Sequence, residues 1–528
     1  MTSVVEMFEQ TLRRIPDAPA VSIGGADTSY RQLHQLSHRV AAGLAAQGVS
    51  PGDRVALWLP NGAEWLASFL ALCRLGAILV AVNTRYRAAE IEDLLGRSGA
   101  KLLVMQPAFR HIDFPGILAG VDPKALPELR TIVTLGTGDR ILDHPTLPWQ
   151  DLLSVSETVA GAAAADLPCI IFTTSGTTRG AKLVLHAQRS IAAHARDIAA
   201  RFGLADPAAR LLCFLPFCGV FGLVGAMAGL AAGTPLIAMD SFDAAKAADL
   251  ARQQAITHCF GSDDMFRHML EAAPDDGPPF PAARCFGYAA FDKGGLDFPL
   301  AACGRGMPLL GLYGSSEVQA LFAAEDDALP VEERLRPGGR PIAGPAAQVR
   351  VRDLDSGGLA PPDVGGELEI RTPNQFLGYF GDAEATAQAI TADGFFRTGD
   401  LARLRPDGSF IFEARLGDAL RLGGYLVSPG EIEAELKTVP GIADAQVVGI
   451  RIGGTLRPVA FVIPTDGFSS EAALAHCRSR LARYKLPARI WTVQAFPVTA
   501  SPNGSKVQRG RLRQMGEQRL AAEGKNQG

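Results

Sequence analysis

The strongest constraint on this chain is a repeated change of hydrophobic period. Short apolar runs of β-forming residues give way to stretches in which apolar residues recur at helical spacing. Val55 to Leu59 is one such run. Asn61-Gly62 marks a turn after it, and Trp65, Phe69, Leu72 and Cys73 then predict a helix. Runs at Lys101 to Met105 and Leu167 to Phe172 repeat the pattern. Strands and helices in alternation bury their apolar faces by layering, which predicts an α/β architecture. With 528 residues the chain is too long for one compact core, and about two or three domains are expected. No internal repeat and no low-complexity tract interrupts it, and Pro/Gly/Asp-rich stretches near 272–282 and 355–366 read as surface loops.

A smaller α+β unit begins near Arg415 and has the size of a domain, roughly 110 residues. Ser428-Pro429-Gly430-Glu431 predicts a capping box with proline at the first helical position, opening a helix through Ile432, Leu436 and Val439. Strands follow at Ala445–Ile450 and Pro458–Ile463, then a helix with Leu474, Cys477 and Leu481 on one face. The tail after Met515 is polar and is expected to fray. The expected division is therefore 1–415 and 416–528.

Composition excludes several classes of function. The chain has 51 basic and 55 acidic residues, a formal net charge of −4, so no nucleic acid is expected as partner. Eight scattered cysteines without a C-x-x-C pair argue against a disulfide framework or a zinc ribbon. They read as small buried residues in a reducing cytoplasm. The amino terminus lacks the apolar core of a secretory signal. Leu211 to Met239 carries no charge, yet Pro216, Pro235 and glycines at 219, 222, 225, 229 and 233 disfavour a membrane span. A buried helix flanked by strands is expected there instead. Oligomeric state is not legible.

The segment richest in chemistry is Ile170-Ile-Phe-Thr-Thr-Ser-Gly-Thr-Thr-Arg-Gly-Ala-Lys182. An apolar strand delivers Thr174, Ser175, Gly176, Thr177 and Thr178, whose short hydroxyls and permissive backbone suit phosphate oxygens. Lys182 follows as a point charge. The Walker spacing does not fit, and an ordinary polar turn is the competing reading. The stretch resembles the signature loop, T-S-G-T-T-G-x-P-K-G, of the adenylate-forming superfamily of acyl- and aryl-CoA ligases, luciferases and peptide-synthetase adenylation domains. Arg179, Ala181 and Leu183 depart from that pattern.

Four further motifs resemble the family's, in its order, from about Tyr30 to Arg513. Leu312-Tyr-Gly-Ser-Ser-Glu317 resembles Y-G-x-T-E, implying Tyr313 on adenine, Ser316 near the α-phosphate and Glu317 as a Mg²⁺ ligand. Thr398-Gly-Asp400 resembles T-G-D, where the aspartate accepts from the ribose hydroxyls. Gly287 is placed with this adenine and ribose set. Arg415 falls on the arginine that contacts ribose and phosphate. Gly417 and Asp418 fall at the hinge, Gly417 in place of the family's acid, and Gly423 and Gly424 fall on the pair lining a CoA tunnel. Gly504-Ser505-Lys506-Val507 matches the end of the terminal motif whose lysine is catalytic.

The resemblance implies a large multi-subdomain N-terminal domain with parallel and mixed sheets and a small mobile α+β domain carrying Lys506. It implies ATP, Mg²⁺ and CoA as cofactors and a small carboxylic acid as substrate. The acid is adenylated and then transferred to CoA. His186 is expected to be structural, since an acyl-adenylate needs no general base. Phe217, Cys218, Gly219 and Gly311 are the candidate acyl-pocket residues. No acidic residue lies between Leu211 and Leu230, so a fatty, alicyclic or aromatic acid is expected rather than an amino acid. Two other readings stay open: a ligase that loads a carrier protein, and a nucleotide- or acyl-binding homologue without turnover, which Arg179, Ala181 and Gly417 would favour.

Overall fold

A computed structural model of the chain describes residues 1–136, 140–142, 144–155, 161–174, 181–274, 277–290, 296–416, 420–422, 425–452, 455–481, 485–501 and 504–525. A large N-terminal domain contains two extended sheets with helices packed between and around them. In a nine-stranded sheet, Pro168–Thr173, Ile78–Ala81, Arg54–Trp58, Leu102–Met105 and Thr131–Thr134 run parallel. Their two-sided burial explains why each reads as a continuous apolar run. Leu183–Ala187 and Gly378–Tyr379 extend this sheet antiparallel past Pro168–Thr173.

The second sheet has thirteen strands and changes character along its width. Leu211–Cys213, His258–Ser262, Cys285–Ala289 and the start of Leu309–Ser315 are parallel. From Leu309–Ser315 onward, through Gln319–Ala324, Gly338–Pro341, Phe410–Arg415 and Phe396–Leu404, every pairing is antiparallel. The motif residues Tyr313, Asp400 and Arg415 all lie on this antiparallel part. The uncharged stretch resolves into strand Leu211–Cys213, buried helix Val220–Ala232 and strand Leu236–Ala238, as expected. Among the described residues no helix is long and apolar enough to cross a membrane.

The smaller C-terminal domain is built on Ile442–Ile452 and Thr455–Pro464, paired antiparallel, with Arg489–Thr492 parallel to the second. Its sheet buries both faces, and the period of two is visible in adjacent residues. Val447 packs with Ile432, Leu436 and Cys477, whereas Val448 packs with Ile450, Phe461 and Leu512. The second face is covered by a further helix, Arg509–Lys525, so the stretch from Met515 to Lys525 is helical rather than frayed. Leu512 is fully buried, and Met515 and Leu520 rest on the same cluster. Gly516 lets the helix come close, since a Cβ there would lie 2.2 Å from Ile450 Cδ1. These few contacts are diluted by the polar residues around them, which is why the tail reads as solvated.

The expected capping box is also corrected. Helix Pro429–Lys437 does begin with proline, but the Ser428 side chain makes no cap bond. Its hydroxyl instead donates to the Glu413 carbonyl at 3.3 Å. Glu431 is drawn away to the Lys485 ammonium.

Candidate active site

The phosphate-type loop connects two antiparallel strands, Pro168–Thr173 and Leu183–Ala187. The ladder continues one step into the loop. Thr174 N–H donates to the Lys182 carbonyl at 3.1 Å, and Lys182 N–H to Thr174 Oγ1 at 3.2 Å. Ser175, Gly176, Thr177, Thr178 and Arg179 lie outside the described residues. The Lys182 ammonium sits 4.3 Å from the centre of the Tyr379 ring, a cation–π contact. The Tyr379 hydroxyl in turn donates to Glu317 Oε1 at 2.9 Å. Burial, and then the Glu317 charge, hold that hydroxyl protonated well above the usual tyrosine range. A continuous chain thus links the loop's cation to the carboxylate expected to hold metal.

Ser316 and Glu317 sit on the turn between Leu309–Ser315 and Gln319–Ala324, and this turn is fastened from several sides. His186 Nε2 lies 2.7 Å from the Ser316 carbonyl, and His194 Nε2 2.7 Å from the Ala320 carbonyl. Phe376 N–H donates to the Glu317 carbonyl at 2.7 Å. The Gln319 side-chain amide donates to the carbonyls of Ser190 and Asn374, both at 3.0 Å. Burial pushes both histidines down to about 4, so each is neutral near pH 7 and donates to its carbonyl through Nε2–H. His186 thereby fastens the Ser316 backbone. Gln319 and Leu321 hold φ of +68° and +63°, a left-handed conformation costly for side chains of this size. Such backbone persists only where surrounding bonds over-determine it, as they do here.

Four residues before Glu317, the Tyr313 hydroxyl donates to Asp400 Oδ2 at 2.6 Å. Its ring packs edge-on against Phe410, with centroids 5.1 Å apart. Asp400 and Arg415 face each other across paired strands, and Arg415 Nη1 lies 3.1 Å from Asp400 Oδ1. The same nitrogen donates to the Thr398 carbonyl at 3.0 Å. A buried carboxylate, a phenol and a guanidinium therefore meet, with the arginine half exposed beside them.

On the acyl side, Phe217 is fully buried against Trp65, their centroids 5.8 Å apart, and Cys218 is nearly so. Burial pushes the Cys218 thiol up to about 12, which leaves it inert as a nucleophile. Gly219 precedes helix Val220–Ala232 and is half-buried. The loop is pinned by Asn61, whose amide donates to the Leu215 and Met239 carbonyls at 2.9 Å and accepts from Phe217 N–H at 2.7 Å. Gly311 has a different physical reason from the one expected. The space of its missing Cβ is filled by the Arg336 carbonyl oxygen, 2.0 Å from the ideal position. Tyr288 holds that crossing segment through a hydrogen bond from its hydroxyl to the Leu335 carbonyl. At Gly287 a Cβ would meet Leu312 Cδ1 at 2.8 Å and the Phe260 ring at 2.9 Å.

Gly417, Asp418, Gly423 and Gly424 lie outside the described residues. Lys506 is on the hairpin of Val498–Ser501 and Gly504–Val507, paired with Thr499, and its side chain is outside them too. Sequence reasoning missed Tyr379, His194, Asn61 and Gln319. Tyr379 sits on a two-residue strand, too short to show any period. Asn61 read only as a turn residue.

Comparison with known proteins agrees with this architecture. Residues 8–380 match the family model described as AMP-binding enzyme, and residues 431–502 match AMP-binding enzyme C-terminal domain. The chain belongs to the AMP-binding enzyme family. It is an enzyme of the acid–thiol ligase class, and ligases of this family are ATP-dependent. The 3-[(3aS,4S,7aS)-7a-methyl-1,5-dioxo-octahydro-1H-inden-4-yl]propanoyl:CoA ligase of Mycobacterium tuberculosis is 32% identical over 98% of this chain and 99% of its own. The 3-hydroxybenzoate–CoA ligase of an Aromatoleum species is 30% identical over 95% and 94%. The crystal structure of ATP-bound MatB from Rhodopseudomonas palustris has a TM-score of 0.83 at 25% identity, covering 98% of this chain and 99% of that one.

Proposed function

We propose that this chain activates an apolar carboxylic acid as its acyl-adenylate and passes the acyl group to CoA. In the first step a carboxylate oxygen of the acid bonds to the α-phosphorus of ATP, and pyrophosphate leaves. In the second the CoA sulfur bonds to the acyl carbon, the thiol proton is lost and AMP leaves. The observation that carries this reading is the chain from Lys182 through Tyr379 to Glu317, adjoining the Tyr313–Asp400–Arg415 cluster, whose Tyr313 lies four residues before Glu317.

In this reading the hydroxyls of Thr174 to Thr178 and Lys182 take the phosphates. Ser316 lies by the α-phosphate, Tyr313 and Gly287 border the adenine, and Asp400 and Arg415 take the ribose. Lys506 offsets charge that develops in the first step. Glu317, a hard-oxygen donor turned by the Tyr379 hydroxyl, suits Mg²⁺, which when bound supplies positive charge beside the phosphate oxygens. The mobile unit is residues 416–528, hinged at Gly417 and Asp418, with Gly423 and Gly424 along the CoA path. Phe217, Cys218 and Gly219 offer an apolar wall without a counter-charge for an ammonium group, which favours a fatty, alicyclic or aromatic acid. Relatives named for a fused-ring propanoate and for a hydroxybenzoate point the same way. Eight free cysteines fit work in the cytoplasm.

The test is release of AMP and pyrophosphate by purified protein with ATP, Mg²⁺, CoA and a panel of apolar acids, with Lys506→Ala beside it. Acid-dependent AMP and acyl-CoA, both lost in the variant, are expected. A trapped adenylate without thioester would instead assign a carrier-protein acceptor. ATP binding without pyrophosphate from any acid would overturn the catalytic reading.

A further inference from the structure

Far along the chain from every motif above, three ligand-type side chains converge between the first two long helices. Helix Val4–Arg14 carries Glu9. Helix Tyr30–Ala46, opened by a capping box of Ser29 and Gln32, carries His34 and His38 one turn apart on a single face. The two Nε2 atoms are 3.1 Å apart, and the rings are inclined at 57° with centroids 4.4 Å apart. Glu9 Oε1 is 3.9 Å from His34 Nε2. The three ligand atoms all lie within 4.8 Å of one another, and all three residues are half-buried.

We propose that Glu9, His34 and His38 form a binding site for a borderline divalent transition metal ion, with zinc as its natural probe. The spacing is that of ligands around one ion. With zinc–nitrogen bonds of about 2.0–2.1 Å, a tetrahedral angle puts two nitrogens about 3.3 Å apart, and a slightly narrower angle brings them to the observed separation. Two imidazoles and a carboxylate are ligands that suit zinc or copper and set the site apart from an all-oxygen magnesium site. Without an ion, only one Nε2 can donate to the other. With both rings as Nδ1–H tautomers, both lone pairs face the gap and need a cation between them.

The surroundings admit an ion. A cleft of about 570 Å³ opens beside the pair, lined by Gln32, Gln35, Leu36 and Arg39 together with the two histidines, so solvent can complete the coordination. Arg74 sets a limit on the third ligand, because its Nη2 lies 3.0 Å from Glu9 Oε1. It orients the carboxylate but shares its charge, which makes Glu9 the weakest of the three. The ion would tie the first helix to the second, stabilising the N-terminal edge without touching the adenylation residues.

The test is calorimetric titration of chelator-stripped full-length protein with zinc chloride, in the absence of ATP and acid. One zinc per chain is expected. His34→Gln and His38→Gln should each weaken binding about tenfold or more, and Glu9→Gln about threefold. His268→Gln removes an exposed imidazole elsewhere, one flanked by Asp264 and Glu271, and should leave binding unchanged. Copper(II) bound to the unaltered protein gives a second reading through nitrogen hyperfine structure in its electron paramagnetic spectrum. Two imidazole nitrogens are expected. Unchanged zinc affinity in the double histidine variant, or fewer than two nitrogens around copper, would overturn the site.

Discussion

Glu433 and Arg509 form an ion pair at the centre of the small domain, and removing one partner is the severest single test of how that domain is held. Glu433, on helix Pro429–Lys437, is fully buried, and Arg509, opening helix Arg509–Lys525, is 7% exposed. Glu433 Oε1 also accepts from Val447 N–H at 2.7 Å, and Arg509 Nη1 donates to the Val447 carbonyl at 2.8 Å. Strand Ile442–Ile452 is the edge of its sheet. The pair therefore satisfies backbone groups that have no neighbouring strand among the described residues. Breaking a buried pair by deleting one charge costs about 3–5 kcal/mol. Set against a typical domain stability of about 5–15 kcal/mol, Glu433→Ala should bring this unit close to unfolding. Hydrogen exchange read by mass spectrometry reports on the unit alone. Amides of Ile442–Ile452 should exchange about a hundredfold faster or more, since about 1.4 kcal/mol is a factor of ten. Acid-dependent pyrophosphate release should fall with it, because Lys506 lies three residues before Arg509. The double replacement Glu433→Leu with Arg509→Met strands no charge and should recover much of the protection. Exchange in Glu433→Ala within about fivefold of the parent protein would refute the reasoning, since that is only about 1 kcal/mol.

Other expectations follow from single contacts. Tyr379→Phe keeps a ring beside Lys182 but loses the hydrogen bond to Glu317, and adenylation should slow about tenfold, as for a hydrogen bond to a charged group. Tyr379→Leu should slow it further; equal rates for Phe and the parent enzyme in a pyrophosphate-release assay would show that the hydroxyl does not position the carboxylate. Gly311→Ala drives a Cβ into the Arg336 carbonyl and should cost about 1–3 kcal/mol of stability. A changed acid preference at an unchanged melting temperature would contradict that. His186 and His194 are depressed to about 4 from 6.5, so between those values the unfolded chain binds protons that the folded one refuses. Stability should therefore decline as pH falls from about 6.5 toward about 4, by up to about 3 kcal/mol per histidine. Urea midpoints measured against pH should show this slope, and a flat profile would argue against neutral buried rings.

Elements whose burial is uniform or alternates regularly were legible from sequence. Strands Arg54–Trp58 and Pro168–Thr173 lie in the middle of a sheet and read as apolar runs, and helix Val220–Ala232 was recognisable because its glycines and flanking prolines break a membrane-type segment. Motif residues were legible because their chemistry is local, as with Thr398-Gly-Asp400. Residues that act through partners distant in sequence were not. His194 reaches the Ala320 carbonyl across 126 positions, and Asn61 reaches Leu215 across 154. Gly311 was legible as a glycine but not in its reason, since the Arg336 carbonyl reaches it from another segment. Nor does spacing announce that Ser428 turns to Glu413 instead of capping its own helix.

The final helix has a consequence for the order in which the protein becomes competent during synthesis. One face of the small sheet, with Val448, Ile450 and Phe461, is covered in part by Leu512, Met515 and Leu520, which are made after the strands they cover. While those residues are still in the ribosomal tunnel, that apolar face is open to water and to other nascent chains. Arg509 is equally late, so the edge strand that it helps to seal is also bare until then. The hairpin that carries Lys506 lies just ahead of this closing segment. In this chain the sealing of a sticky surface and the anchoring of the hairpin with Lys506 therefore fall together, and a nascent chain stalled short of helix Arg509–Lys525 is an aggregation hazard.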